Sequence, residues 1–202
     1  MNLNPPTARN LAPFDGELYL YPAFYPPETA ADYFQRLYES LAWQQERLFI
    51  YGRWLPVPRL MAWYGELNAH YRYSGRDHAP LAWTAELQTL REAMQTLCGT
   101  EFNSVLANLY RDGRDSMGCH ADNEKELGLT PVIASLSFGG SRLLRFRHKH
   151  RQHKLDLELA HGDVLIMAGE LQQHWRHELP KTRQPKPPRI NLTYRNIIGR
   201  TI

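Results

Sequence analysis

Val132-Ile-Ala-Ser-Leu-Ser-Phe138, Gly139-Gly-Ser141 and Arg142-Leu-Leu-Arg-Phe-Arg147 read as a strand, a turn and a returning strand. The flanks are short and mostly apolar, and the glycine pair supplies the backbone freedom that a tight hairpin needs. Working outward, the same texture recurs over 105–111, 155–159, 164–167, 174–179 and 190–198, each run bounded by turn residues. Toward the N-terminus the period changes. Tyr33, Phe34, Leu37 and Leu41 fall on one helical face and Thr29-x-x-Asp32 has the form of a capping box, which predicts a helix over about 29–42. Leu87, Leu90, Met94 and Leu97 predict a second over about 84–98, closed by Cys98-Gly99. The first 27 residues are proline-rich and aperiodic, an extended arm lying over the domain. Seven short strands behind a helical layer predict a mainly β fold with α, an antiparallel jelly roll (double-stranded β-helix) over 104–198.

With 202 residues, 43% of them hydrophobic and 22% charged, the chain suits one domain over 1–202 with a sizeable core. No apolar run approaches the roughly 18 residues of a membrane span. Met1-Asn-Leu-Asn-Pro-Pro6 lacks the basic start and apolar stretch of a secretion signal. A cytoplasmic location with no membrane partner is expected, and no obligate protein partner is implied. Cys98 and Cys119 form no disulfide framework, and Cys119 is expected to be an inert buried thiol facing away from its neighbour His120. The formal charge is only +3, yet 19 arginines stand against 5 lysines. The guanidinium fork suits carboxylates and phosphates. Basic residues cluster over 145–154 and 181–189, either as solvated loops or as anion contacts.

The chemistry is carried by a few polar residues at strand spacing. His120 and Asp122, two apart, can share one face and one ion. His161-Gly-Asp163 has the same form, but only 14 residues separate Asp163 from His177, whereas His120 lies 57 residues before it. The longer separation leaves room for the chain to cross the sheets and return, so His161-Gly-Asp163 reads as a turn entering a strand. For the distal ligand His174 and His177 compete, three apart and on opposite faces, so only one can point inward. Two imidazoles and one carboxylate on one side of Fe(II) leave positions open for a chelating co-substrate and O2. Arg189-Ile-Asn-Leu-Thr-Tyr-Arg195 places Arg189, Asn191, Thr193 and Arg195 on one face and Ile190, Leu192 and Tyr194 on the other. A polar row facing a core is costly unless a ligand satisfies it, and a small dicarboxylate would. Asn108 and Tyr110, again two apart, are further candidate donors.

Taken together, Asn108-Leu-Tyr110, His120-Ala-Asp122-Asn-Glu124, Ile133-Ala-Ser-Leu-Ser-Phe138, Phe146-Arg-His-Lys149, Leu159-Ala-His-Gly-Asp163, His174-Trp-Arg-His177 and Arg189-Ile-Asn191-Leu-Thr-Tyr-Arg195 resemble the AlkB family of Fe(II)/2-oxoglutarate-dependent nucleic-acid dealkylases, nearest the subgroup with human AlkB homologues two and three. The resemblance implies iron on His120, Asp122 and His177, which selects His177 over His174. It implies 2-oxoglutarate on Asn108, Tyr110, Arg189, Asn191, Thr193 and Arg195. It further implies a nucleotide-recognition lid over 45–80, with Tyr51 filling the stack vacated by a flipped base and Tyr71, Tyr73 and Glu124 contacting that base. The expected substrates are alkylated DNA and also RNA, with O2 as co-substrate and the 145–154 stretch on backbone phosphates. The alternatives are the same chemistry on a protein side chain or a structural RNA modification, a non-catalytic nucleic-acid binder, and a zinc hydrolase. The last leaves the arginine-rich strand unexplained.

Overall fold

The computed structural model describes residues 9–50, 52–67, 71–73, 76–78 and 80–198, with backbone alone at 50, 71–73 and 76–78. Its strands are β1 (Glu17–Tyr21), β2 (Arg47–Ile50), β3 (Arg53–Pro56), β4 (Leu60–Gly65), β5 (Tyr71–Tyr73), β6 (Arg76–His78), β7 (Ser104–Tyr110), β8 (Met117–His120), β9 (Ile133–Gly139), β10 (Arg142–His148), β11 (Lys154–Leu159), β12 (Val164–Ala168), β13 (Trp175–Leu179) and β14 (Arg189–Arg195). The helices are α1 (Pro27–Ser40), α2 (Ala85–Cys98) and the single turn α3 (Leu171–His174).

Two antiparallel sheets face each other, a large one in the order β1-β12-β9-β14-β7-β4 and a small one in the order β11-β10-β13-β8. This is the expected jelly roll. The strand–turn–strand that opens the sequence argument is present, but it is not a hairpin: β9 and β10 do not pair and diverge into different sheets at Gly139, whose φ of +88° only glycine adopts without strain. β14 lies between β9 and β7 and is buried along its whole length. Ile190, Leu192 and Tyr194 pack outward into a core shared with α1 and α2, where Leu37, Leu87, Leu90 and Met94 are fully buried. The opposite face of β14 looks into the space between the sheets, beside a second apolar cluster of Tyr110, Phe146, Met167, Trp175 and Leu179.

The helix signals held unevenly. In α2 the Thr84 side chain accepts from the Leu87 amide, and Gly99 closes the helix in the left-handed region, both local features. The Tyr194 hydroxyl then donates to the Leu87 carbonyl at 2.9 Å, pinning the helix to β14. The capping box expected at Thr29 is not used. α1 begins two residues earlier, with Pro26 at the cap, Pro27 in its first turn and no side-chain cap. The fixed φ of proline suits a first turn, where the missing N–H costs nothing.

The N-terminal arm is also more structured than expected. β1 pairs residue for residue with β12, from Glu17 opposite Ala168 to Tyr21 opposite Val164, and so forms an edge of the large sheet. Ahead of it Phe14 stacks on Trp175 at 5.6 Å between ring centres, and its carbonyl accepts from the indole N–H. β4 forms the other edge, so the 45–80 segment is not one continuous lid but two ribbons, β2–β3 and β5–β6, interrupted by a sheet strand. The core therefore draws strands from outside 104–198. Among the described residues no helix is long and apolar enough to cross a membrane.

Candidate metal centre

β8 is a poor strand by composition, Met-Gly-Cys-His, and exists because β13 pairs with it. The pairing sets His120 directly opposite His177 and then shifts, with Leu179 opposite Met117, so one extra residue bulges from β8 around Gly118 and Cys119. Two consequences follow. The Cys119 thiol is exposed, not buried as expected. The His120 ring folds back so that its Nδ1–H donates to the Gly118 carbonyl at 2.8 Å. That bond fixes the tautomer and leaves the Nε2 lone pair bare.

Nε2 of His120 lies 3.8 Å from Asp122 Oδ1, and Nε2 of His177 lies 4.0 Å from Asp122 Oδ2. The ring centres of the two histidines are 4.3 Å apart. Asp122 stands two residues beyond the end of β8, not on the strand as the spacing argument assumed. Its carboxylate is held instead by Arg195, whose Nη2 donates to Oδ1 at 2.8 Å. Burial pulls the His177 imidazole down to about 3, so it is neutral with a free lone pair at physiological pH. Burial alone would raise the Asp122 carboxyl, but the Arg195 guanidinium and the two imidazoles together outweigh it and bring the group down to about 2. Since His177 is uncharged near neutrality, Arg195 is the partner that matters there.

Among the described residues a second group, Asp15, His148 and His174, also brings ligand atoms within 4.8 Å of one another. Hydrogen bonding separates the two groups. His148 Nδ1 accepts from the amides of His150 and Arg151, so its proton sits on Nε2 and is directed at Asp15 Oδ2, 3.1 Å away. A ring that already donates its Nε2 proton is a latch on the arm, not a metal ligand. His174 belongs to this latch, at the end of α3, while His177 points into the space between the sheets. His161-Gly-Asp163 is the expected turn: Gly162 has a φ of +85°, and the Asp163 carboxylate accepts from the amides of Ala23 and Ala160.

The donor set fits a divalent metal, because Asp122 Oδ2 is buried without a hydrogen-bond partner among the described residues while two imidazole nitrogens converge on the same carboxylate. Behind it opens a recess lined by His120, Asp122 and His177 at one end and by Tyr110, Arg189, Asn191, Thr193 and Arg195 on the large sheet, with Leu144, Leu159, Met167 and Leu179 closing the apolar side. The polar face of β14 is partly self-satisfied. Thr193 donates to Asn191 Oδ1, and Asn191 Nδ2 donates to Ser135 Oγ and the Leu136 carbonyl. Arg189 spends Nη2 on Ser137 Oγ and lies over the Tyr110 ring at 5.5 Å, but its Nε finds no acceptor, and neither does Asn108 Nδ2. Burial drops the Arg189 guanidinium to about 10, so it stays cationic, and burial keeps the Tyr110 phenol protonated. A buried cation with an unspent N–H at one end, and a metal-ligand constellation at the other, suit a short dianion that chelates the metal.

Several contributors escaped the sequence reading. Ser135 and Ser137 support β14 from β9, and their two-residue spacing within an apolar strand was the available sign. Arg59, 4% exposed, donates to Asn108 Oδ1 at 2.7 Å and reaches the Ser116 carbonyl. Of the expected substrate contacts, Glu124 is half-buried just past Asp122, Tyr51 lies outside the described residues, and Tyr71 and Tyr73 are placed by backbone only, on β5 opposite His78 and Arg76. The β2–β3 ribbon does present exposed apolar side chains, Phe49, Trp54 and Leu55. The 145–154 stretch is not a free positive patch, since Arg145 pairs with Asp156, Arg147 with Glu178, and Arg151 with Asp15.

Comparison with known proteins agrees with this geometry. The sequence profile described as "2OG-Fe(II) oxygenase superfamily" matches residues 17–195. The chain is 40% identical over 163 residues to the Bos taurus protein named DNA oxidative demethylase ALKBH2, covering 77% of this chain and 59% of that protein. It is 37% identical over 188 residues to the Homo sapiens alpha-ketoglutarate-dependent dioxygenase alkB homolog 3, covering 88% of this chain and 65% of that one. It thus spans less than two thirds of either relative's length. The solved structure described as "The structure of OsALKBH1" has a TM-score of 0.63 at 15% identity over 94% of this chain and 100% of that chain, a likeness of fold.

Proposed function

Because the chain belongs to the 2OG-Fe(II) oxygenase superfamily, we propose that it is a dioxygenase that repairs N-alkylated bases in DNA and RNA, such as 1-methyladenine and 3-methylcytosine, consuming O2 and 2-oxoglutarate and releasing formaldehyde, succinate and CO2. The observation that carries the reading is the pairing of His120 against His177, with the unpartnered oxygen of Asp122 between them. When bound, iron with 2-oxoglutarate and O2 supplies the oxidation of the N-linked alkyl carbon.

In this reading His120, Asp122 and His177 hold the metal through two neutral imidazoles and one carboxylate. The bond from His120 to Gly118 orients its ring. Arg195, bonded to Asp122, serves the metal end of 2-oxoglutarate. Arg189, six residues away on the same strand, serves the far carboxylate with Tyr110 beside it, and Asn108, Asn191 and Thr193 complete the polar wall. Leu144, Leu159, Met167 and Leu179 keep water from the recess, which strengthens each charge contact inside it. Tyr51 is assigned to the vacated stack, and Tyr71, Tyr73 and Glu124 to the flipped base, supported by the names of the relatives and the exposed apolar side chains of the β2–β3 ribbon. A cytoplasmic location belongs to the same proposal and is open to cell fractionation.

The test is anaerobic loading with Fe(II) and 2-oxoglutarate, then oxygenation with oligonucleotides carrying 1-methyladenine or 3-methylcytosine. Stoichiometric formaldehyde and succinate support the proposal. Turnover of 2-oxoglutarate that ignores the oligonucleotides but is stimulated by a peptide would transfer the chemistry to a protein substrate.

A further inference from the structure

Asp122 has no ladder to hold it. The β8–β13 pairing stops at His120 opposite His177, and the chain from 121 to 124 runs outside any regular element. A ligand at such a position needs a separate anchor, because each backbone residue contributes two soft dihedrals that swing the carboxylate. The anchor is visible 50 residues along the chain. The Asp122 amide donates to Oε1 of Gln172 at 2.9 Å, in a buried bond. Gln172 is 2% exposed and its carboxamide is used at both ends, the other by Nε2 donating to Met167 Sδ on β12.

Gln172 is itself rigidly seated. It lies in α3, the turn by which the chain crosses from β12 of the large sheet to β13 of the small one. Lys149 grips this turn twice, with Nζ donating to the Gln172 carbonyl at 2.9 Å and its amide donating to the His174 carbonyl at 2.8 Å. Three residues after this turn comes His177. One short element therefore sets both the strand that bears one imidazole and the amide next to the carboxylate.

We propose that Gln172 is a positioning residue for the metal centre: its carboxamide oxygen clamps the Asp122 amide and fixes the distance between the Asp122 carboxylate and His177. Gln172 does not line the recess. The proposal rests on His120, Asp122 and His177 being the metal ligands, and its test keeps the two apart.

The experiment is anaerobic titration of the metal-free full chain with Co(II), followed by its visible spectrum, in wild type, Gln172→Met, Gln172→Glu, Gln172→Asn and Thr84→Ala. Gln172→Met fills the same volume without an acceptor and should weaken Co(II) binding by about tenfold to a hundredfold, the range typical of lost ligand-supporting hydrogen bonds, with altered band intensities. Gln172→Glu keeps an oxygen at the same reach and should return to within about threefold of wild type. Thr84→Ala removes a helix cap far from the centre, so it lowers stability without changing Co(II) affinity, which separates positioning from general weakening. Gln172→Met within about threefold of wild type, or Gln172→Glu as weak as Gln172→Met, overturns the proposal. Should Gln172→Met fail to fold, Gln172→Asn decides, since one methylene less cannot span to Asp122 and wild-type affinity there would overturn it. Failure of the wild-type chain to bind Co(II) would instead overturn the ligand assignment itself.

Discussion

Replacing Arg189 by methionine should make the protein more stable and blind to 2-oxoglutarate at once. Arg189 is 2% exposed, and burial lowers its guanidinium from 12.5 to about 10. At 1.36 kcal/mol per pKa unit, that displacement corresponds to about 3 kcal/mol of penalty for keeping the cation buried. The bond to Ser137 Oγ returns about 1 kcal/mol, so methionine, of similar length and no charge, should leave the co-substrate-free protein more stable by about 1–2 kcal/mol. In a chain of this size that is a rise of roughly 2–8 °C in Tm. Wild type should gain the opposite way: 2-oxoglutarate at a hundredfold its Kd adds about 2.7 kcal/mol, and the variant, lacking the cation, should gain almost nothing. The assay is a thermal melt with Mn(II) present throughout, with and without 2-oxoglutarate. The curves should cross, the variant melting higher without co-substrate and wild type higher with it. A variant that melts well below wild type without co-substrate, or still rises with 2-oxoglutarate, refutes the reasoning.

Three further outcomes are expected. The His177 imidazole titrates near 6.5 in the unfolded chain and about 3 in the fold, so the unfolded state binds more protons between these values; stability is intact above that window and falls as pH drops through it, by up to about 5 kcal/mol at its foot. Denaturant titrations of metal-free protein from pH 7 to 5 should show a steeper fall for wild type than for His177→Gln, and parallel slopes would contradict the burial argument. Thr84→Ala should cost about 1 kcal/mol in the same assay through loss of the bond to the Leu87 amide, and no change would mean that another group caps α2. Tyr51→Ala should impair repair of duplex oligonucleotides more than of single strands, and equal loss on both would remove its stack-filling role.

How far the sequence discloses this protein depends on whether a feature is made locally or by a partner. The ends of α2 are local, with Thr84 and Gly99 within one turn of what they cap; the bounds and the closing Gly99 were legible, while the Thr84 cap went unread. β14 was legible for another reason: its alternation records two environments, helices on one side and the recess on the other. β8 and β1 carry weaker marks, because each is a strand by virtue of its neighbour, β13 or β12. The bulge that exposes Cys119 follows from register, which one strand alone does not encode. At α1 a capping box and a proline pair competed, and proline won because its backbone is already set for the first turn. The ligand triad was readable as residue types, but the anchoring of Asp122 by Arg195 and Gln172 joins residues 73 and 50 positions apart.

β14 and the β2–β3 ribbon stand at opposite extremes of constraint. Every side chain of β14 is enclosed, so a change there disturbs the core or the recess. Among the described residues the β2–β3 ribbon pairs with no other strand, and β3 is exposed throughout. Side chains on that ribbon can therefore be exchanged one at a time without reaching the recess, so whatever the scaffold grips there can change while β14 stays as it is.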